Sequence, residues 1–319
     1  MNKYYDETKC IHWRISVFLL YCLTSIYASA VTLSTSEDDK YVVQIEISTA
    51  GTYRHNINGF VGNIDWGDGA SSQYMQSVNH PEHIYESPGK YVITAKGKAR
   101  QLDSNFASKV ITDVVHIGKD MGIERMDYAF MNQRNLTTLR KGIFDGLKDV
   151  RSFYFVFGIL DNEEVPVPGE VLYTDNTENQ GLTTIPEQLF DHCQKVTDFG
   201  CAFFGCKIKT IPNRLFANNT QAKNFGATFS NTNIESIPSG LFDNNQLVEN
   251  FSYTFFDCRN LKGPSPFAIY VNHTGKCVQV FMYNRDKHAR YYRKPIMYKN
   301  CFTNCFGLED YTNIPETWK

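Results

Sequence analysis

The stretch LTTIPEQLFDHCQKVTDFGCAFFGC at 182–206 decides the fold of this chain, because its pattern is written twice more. The next copy is IKTIPNRLFANNTQAKNFGATFSNT at 208–232, and the third is IESIPSGLFDNNQLVENFSYTFFDC at 234–258. Equivalent letters lie 26 residues apart. A fixed period in the 20–29 range with apolar positions in phase predicts stacked units of the leucine-rich-repeat kind.

Isoleucine and phenylalanine hold the constant positions of these units. They are Ile185, Ile211 and Ile237, then Phe190, Phe216 and Phe242, then Phe199, Phe225 and Phe251, and finally Phe203, Phe229 and Phe255. A single unit cannot bury its own apolar edge, so neighbouring units are expected to bury Ile on Ile and Phe on Phe. The proline after each isoleucine lacks an N–H and should end a short strand.

The pattern extends in both directions from these three copies. A looser copy lies at 136–157, and a last one closes the chain at 301–319. The sequence therefore predicts a repeat domain over 116–319, a solenoid with about five units of roughly 26 residues. It is interrupted by insertions at 160–181 and 264–300.

These repeats resemble the BspA-like leucine-rich-repeat proteins of bacterial cell surfaces. The resemblance rests on the Ile-Pro-x-x-Leu-Phe step, the Phe-x-x-Cys unit ends, and a tail built from LKGPSPF (261–267) and NCFTNCFGLEDYTNIPETW (300–318). The tyrosine-rich, basic spacer between the two tail segments departs from the family's pattern. The resemblance implies a repeat solenoid used for adhesion or recognition.

The segment 31–115 has a different pattern, typical of β-structure. In YVVQIEIS (41–48), Val43, Ile45 and Ile47 alternate with polar residues, and KYVITAKG (90–97) alternates in the same way. Period two with one polar face predicts an antiparallel sheet. Short strands and frequent glycine turns in so short a segment predict a small sandwich.

One stretch of this segment, IDWGDGASSQYMQSVNHPEHIYESPGKYVITAKG (64–97), resembles a PKD domain, an immunoglobulin-like module of extracellular proteins. The resemblance covers roughly 31–100. The matching positions are Trp66, Gly67, Asp68 and Gly69, followed by His83, Tyr85, Pro88, Gly89 and Tyr91. A PKD-like module ahead of BspA-like repeats is a familiar arrangement in such surface proteins.

The residues of this motif have structural explanations. Asp68-Gly69 supplies the positive φ of a tight hairpin, and Trp66 is a natural core aromatic. Calcium binding by DWGDG is disfavoured, since glycines stand where an EF-hand loop needs oxygen ligands. A metal site at His80 and His83 is disfavoured as well, because no third ligand is evident.

The N-terminus predicts export. Basic residues precede the apolar run ISVFLLYCLTSIY (15–27), and Ala28-Ser29-Ala30 follows with the small residues of a cleavage site. This is the pattern of a signal peptide spanning 1–30, with cleavage after Ala30 and a secreted or cell-surface product. Lipidation at Cys22 is a weaker alternative, because Tyr21 precedes it. No transmembrane segment is expected in the mature chain.

Composition and motifs exclude several functions. The net charge of −2 provides no positive electrostatic field that would attract nucleic acid. No GxSxG, P-loop, HExxH or CxxC motif is present, and histidines and acidic pairs lie in unremarkable contexts. The chain is therefore predicted to be non-enzymatic, without cofactor, metal or nucleic-acid partner.

The cysteines of the repeats leave alternatives open. Cys206, Cys258 and Cys305 share one repeat position. Cys258 and Cys305 would fall in consecutive units, about 5 Å apart, close enough for a disulfide. The favoured interpretation is small, buried residues in a ladder. Metal binding by Cys301 and Cys305 is a minor option.

The candidate ligand-binding residues are those that vary between constant positions. In the repeats they are Thr184, Lys209, Thr210, Glu235 and Ser236. A second group lies in the basic, aromatic stretch NRDKHARYYRK (284–294), namely Arg290, Tyr291, Tyr292 and Arg293, although an exposed loop would explain that stretch equally.

The sequence thus predicts a surface protein that binds an extracellular protein of host, matrix or another cell through an extended face. The alternative is a carbohydrate-binding protein that assists polysaccharide capture, with the tyrosines of 291–298 as stacking platforms. A hydrolase within 264–300 is the least favoured function, because His273, Cys277 and His288 form no motif. The sequence leaves the ligand and the oligomeric state open.

Overall fold

We analysed a computed structural model, which describes residues 37–160, 181–271, 277–281 and 295–319. The described chain is β-rich and contains antiparallel sheets, as predicted. Asp38–Lys319 forms one compact unit. The predicted signal peptide, with Cys22, lies outside the described residues. So do 161–180 and 282–294, which include Arg290, Tyr291, Tyr292 and Arg293.

Nine strands form the first part of the compact unit. They are β1 (Lys40–Ile47), β2 (Gly51–Arg54), β3 (Ile57–Asn58), β4 (Phe60–Asp65), β5 (Ser71–Val78), β6 (Glu82–Tyr85), β7 (Gly89–Lys98), β8 (Gln101–Leu102) and β9 (Ile111–Ile117). Five of them make a sheet in the order β5-β4-β7-β1-β9, and β2-β6 and β3-β8 form two smaller pairs. Every pairing within these sheets is antiparallel.

The predicted alternation appears in the strands. In β1, Val43, Ile45 and Ile47 are buried while Glu46 is exposed. In β7, Ile93 and Ala95 are buried while Val92 is exposed, and β7 pairs with β1 along its length. The period-two pattern therefore identified both the strands and their inner face correctly.

The hairpin predicted at Asp68-Gly69 joins β4 to β5. The Trp66 N–H donates to the Ala70 carbonyl at 3.1 Å, and Gly67 and Gly69 have φ of +82° and +93°. A Cβ on Gly67 would lie 2.6 Å from the Val92 carbonyl oxygen, so only glycine fits there.

Trp66 is a core residue, as predicted, with no exposed surface. Its ring stacks on His83 at 5.0 Å and meets Tyr53 of β2 edge-on at 6.3 Å. The Tyr85 hydroxyl of β6 donates to the Trp66 carbonyl at 2.7 Å. The Trp-Gly-Asp-Gly turn thus connects the five-stranded sheet to the β2-β6 pair.

After β9 and a short 3-10 helix (Lys119–Met121), the chain runs as tight turns that stack on one another. Isolated parallel bridges link equivalent positions of successive units: Ser152 to Asp198, Asp198 to Asn224, Asn224 to Asn250, and Asn250 to Met297. The 26-residue spacing of the sequence is therefore the spacing between directly bonded neighbours.

Phenylalanine rings occupy the interior of this stack. Phe199 and Phe225 stack at 5.5 Å between ring centroids, and Phe225 and Phe251 at 5.8 Å. The column that contains Phe203 and Phe229 stacks at 5.6 Å. The predicted contact of Phe on Phe is confirmed for these positions, and one apolar core runs from Tyr41 to Trp318.

The end of the chain has its own elements. A hairpin of β10 (Phe267–Val271) and β11 (Cys277–Phe281) lies within the predicted insertion 264–300. Two 3-10 helices, Tyr311–Asn313 and Glu316–Trp318, follow the last unit. Trp318 is buried, stacks on Tyr298 at 4.8 Å, and accepts the Phe302 N–H at its carbonyl, so it covers the end of the stack.

Candidate functional site

The variable pair ahead of each Ile-Pro faces solvent. Lys209 and Thr210 are exposed, whereas Ile208 and Ile211 on either side are buried. Apolar side chains fix the backbone here, so the two residues between them are free to vary in chemistry. Neighbouring units present the exposed pairs Thr183-Thr184 and Glu235-Ser236 in the same way. All five candidate residues of the repeats are therefore at the surface.

Backbone hydrogen bonds place these positions in register. The Glu235 N–H donates to the Lys209 carbonyl at 2.9 Å, and the Lys262 N–H donates to the Glu235 carbonyl at 2.9 Å. Upstream, the Thr183 N–H donates to the Thr137 carbonyl at 2.9 Å. We call Thr183, Lys209, Glu235 and Lys262 the first outer row. Its members are exposed and include both positive and negative charges.

A second row was not predicted from the sequence. Arg151, Thr197, Lys223 and Glu249, the second outer row, are joined by N–H to carbonyl bonds of 2.8–2.9 Å from each unit to the one before. Arg151 and Lys223 are exposed, and the other two are half-buried. Upstream, the Arg151 N–H donates to the Glu124 carbonyl at 3.2 Å, so the row continues toward the nine-stranded part.

The signal that could have revealed this row is an Asp or Asn before each conserved phenylalanine. Asp198, Asn224 and Asn250 form a side-chain ladder: each Asn Nδ2 donates to Oδ1 of the preceding member at 2.9 Å. The same Oδ1 atoms accept the N–H groups of Gly200, Gly226 and Ser252 two residues on. This asparagine ladder fixes the turn beside Thr197, Lys223 and Glu249 of the second outer row.

Burial changes the electrostatics at the head of the ladder. Asp198 is half-buried, and desolvation raises the pKa of its carboxyl above the ordinary value, while the bonds from Gly200 and Asn224 oppose that shift. The carboxyl therefore holds its place by accepting two hydrogen bonds. Its function is explained by the turn that it caps, and it needs no ligand.

Buried asparagine side chains link neighbouring units inside the stack. Asn219 is fully buried, and its Nδ2 donates to the carbonyls of Phe190 and Cys193 at 3.0 Å. Asn245, one unit later, donates to Phe216 and Asn219 in the same way. Each amide adds a second hydrogen bond to carbonyls that already accept a backbone N–H, and so links one unit to the next inside the apolar interior.

The cysteines are part of this internal bonding. All six with described side chains are free. The Cys258 thiol donates to the Phe229 carbonyl at 3.0 Å, and the Cys305 thiol donates to the Phe255 carbonyl at 3.0 Å. Burial raises the pKa of Cys258 to about 12. The favoured ladder interpretation thus matches the geometry, and a disulfide between the two is not formed.

The turn that suggested calcium uses its carboxylates internally. Asp65 Oδ1 accepts the Gly67 N–H at 2.9 Å, and Asp68 Oδ1 accepts the Ala70 N–H at 3.0 Å. The other Asp68 oxygen lies 2.7 Å from His83 Nε2, and this hydrogen bond is the main reason that the pKa of Asp68 is lowered. These contacts account for both carboxylates and for His83.

The described residues contain no group of three or more His, Cys, Asp or Glu side chains that could hold a metal ion. None of the helices in the described ranges is long and apolar enough to cross a membrane.

The two outer rows present hydroxyl, ammonium, guanidinium and carboxylate groups to a ligand at a fixed spacing.

A scan against protein-family models gives no match for this chain, and a search of curated proteins gives none either.

Proposed function

We propose that the chain is a secreted or cell-surface binding protein without enzymatic activity, which adheres to or recognises an extracellular protein. In this proposal, 31–115 is a PKD-like sandwich, and 116–319 is a BspA-like leucine-rich-repeat solenoid. Export depends on the signal peptide at 1–30. The antiparallel sheet, the parallel bridges at 26-residue spacing and the phenylalanine columns support these assignments.

One observation carries the proposal: the side chains vary in charge and polarity at exposed positions, while the apolar residues beside them stay the same. Between apolar residues that are buried or half-buried, the exposed pair changes from Thr-Thr to Lys-Thr to Glu-Ser, while Thr183 and Glu235 each donate a backbone bond of 2.9 Å to the preceding unit. Such a surface binds through area and complementarity rather than through one reactive group.

The test is a panel of matrix proteins and an array of glycans, incubated with the purified chain. For any protein ligand found, the charge swap Lys209→Glu with Glu235→Lys should weaken binding at least tenfold. The matched control is Glu46→Lys with Lys90→Glu, which reverses an exposed ion pair of 3.6 Å on the five-stranded sheet and should leave affinity within twofold. Equal losses in both variants would contradict recognition through the repeats.

The same experiment tests the carbohydrate-binding alternative. Binding to glycans alone, lost when Tyr291 and Tyr292 are replaced by alanine, would replace the protein-adhesion proposal with that alternative. Export is tested separately by treating intact cells with a protease that cannot enter them. Protection of the chain from that protease would contradict the proposed location.

A further inference from the structure

The strongest unassigned feature is a basic depression of about 400 Å³ at the junction between β9 and the first repeat unit. Its volume lies within the range of small-ligand sites. Four cationic side chains line it, namely Lys119, Arg140, Lys141 and Lys148, together with His116. Neither outer row contributes a residue to it.

Two of the cations are anchored. The Lys119 ammonium lies 2.9 Å from Asp38, and Arg140 pairs with Asp113 through Nη2 at 2.5 Å. Arg140 donates to Asp113 from Nε and Nη2. A guanidinium has five N–H donors in all, so donors remain for a second acceptor. The anchoring carboxylates hold both cations in position.

The other two cations are exposed on the first repeat unit. Lys141 and Lys148 line the same depression from opposite ends of the turn at 141–148. Asp38 and Asp145 also line it, and Asp113 pairs with Arg140, so the four cations exceed the carboxylates by one. The surplus leaves a local positive field on a chain whose net charge is −2.

The walls are close because glycine permits it. A Cβ on Gly146 would lie 2.9 Å from Lys119 Cβ and 3.0 Å from its Cα, so any side chain there would push the first unit away from Lys119. Gly142, at φ +74°, turns the chain at the other end. The apolar part of the lining is the half-buried Val115, with small exposed parts of the core residues Ile117 and Ile143.

We infer that this depression binds an acidic glycan, a saccharide that carries carboxylate or sulfate groups. Cations spread around a shallow rim match anions spaced along a saccharide chain, and the apolar lining accommodates the ring between them. Nucleic acid is disfavoured because the lining contains no phenylalanine, tyrosine or tryptophan ring on which a base could stack. An acidic peptide is the competing class, and the experiment separates it.

The experiment uses the full chain at 150 mM salt, where long-range attraction is screened. Titration calorimetry compares four probes: a heparin oligosaccharide, an oligogalacturonate, a neutral dextran oligomer and a poly-glutamate peptide. We expect binding of at least one acidic glycan, no binding of dextran, and a poly-glutamate affinity at least tenfold weaker. Failure of both acidic glycans, or tighter binding of the peptide, would overturn the inference.

Charge reversal locates the site. Lys141→Glu with Lys148→Glu should weaken glycan binding at least tenfold. The control, Arg214→Glu with Lys299→Glu, makes the same change in net charge outside the depression and both outer rows, and it should cost less than twofold. All four positions are exposed, so the melting temperature should stay constant and report that the variants fold. Equal weakening by the two pairs would show general charge attraction and no site in the depression.

Discussion

At the scale of single residues, His55 shows how the aromatic cluster depends on a neutral imidazole. The side chain is fully buried, stacks on Tyr41 at 5.4 Å, and accepts the Asn56 N–H at Nδ1. Desolvation lowers the pKa of His55 to about 3. Protonation in the folded state would place a charge among apolar rings, so the fold strongly favours the neutral form.

This burial predicts acid sensitivity. The ordinary His pKa is 6.5, so between pH 6.5 and about 3 the unfolded chain binds a proton that the folded chain does not. Stability is therefore complete above pH 6.5 and falls as the pH drops, by up to about 1.4 kcal/mol per pH unit. Urea unfolding between pH 7 and pH 5 should show this slope, and His55→Gln should flatten it. An unchanged slope in the variant would contradict the assignment to His55.

A buried asparagine gives a second prediction at this scale. Asn219→Ala removes the two side-chain hydrogen bonds to the carbonyls of Phe190 and Cys193, which keep only their backbone donors. We expect a loss of about 1–3 kcal/mol in the free energy of unfolding. Asn218→Ala changes the exposed neighbour and should have almost no effect. Urea denaturation of the two variants provides the measurement, and equal losses would contradict the role of the buried amide.

At the scale of elements, the phenylalanine columns stabilise the repeat units together. Phe225 lies at the centre of its column, and its ring centroid is 4.7 Å from Phe216 and 4.9 Å from Phe242 as well as within 6 Å of both column neighbours. Each ring is thus shared by three successive units. A defect in one ring should be felt in all of them.

The corresponding prediction concerns Phe225→Ala, which should cost about 3–5 kcal/mol through lost burial and a cavity. Phe225→Leu should cost less, because it fills most of the volume. Phe306, which is 70% exposed, provides the control, and Phe306→Ala should change stability little. The measurement is the free energy of unfolding in denaturant. A loss for Phe225→Ala no larger than the loss for Phe306→Ala would contradict the shared column.

How far the sequence predicts these elements depends on periodicity. Period two identified β1 and β7 and their buried faces, and the 26-residue period identified which phenylalanines meet. The second outer row could not be predicted, because Asp198, Asn224 and Asn250 resemble ordinary polar loop residues in the sequence. Their role depends on bonds between units, and one sequence offers no direct sign of such a bond. The basic depression could not be predicted for a related reason. Lys119 and Lys148 lie in segments whose sequence patterns are unrelated, so nothing in the sequence indicates that they line one depression.

At the scale of the whole molecule, one core joins the nine-stranded part to the repeats. Polar bonds cross the junction inside this core: the Asn56 amide donates to the Ala129 carbonyl at 2.8 Å, and the Ser104 hydroxyl donates to the same oxygen at 2.7 Å. Gln133 Oε1 accepts the Ile111 N–H of β9 at 2.9 Å. The two parts should therefore unfold together.

Gln133→Ala tests this coupling. The change removes two bonds that cross the junction, from Gln133 to the Ile111 N–H and to the Ser108 carbonyl. We expect hydrogen-exchange protection to fall together in β1 and in the repeat units, by about 1–3 kcal/mol. Gln73→Ala, on the exposed face of β5, is the control and should leave both unchanged. A loss confined to one part would show that the two parts unfold independently.

The asparagine ladder also gives the array a direction of growth. Each amide needs an acceptor before it and can accept from a donor after it, so a duplicated unit placed after Asn224 would find its acceptor in Asn224 and its donor in Asn250. Asp198 differs because it has no side-chain amide to donate and its carboxyl accepts both of its hydrogen bonds. A new asparagine-bearing unit placed ahead of it would receive nothing from Asp198. Lengthening of this protein by tandem duplication is therefore easier on the C-terminal side of Asp198 than on the N-terminal side.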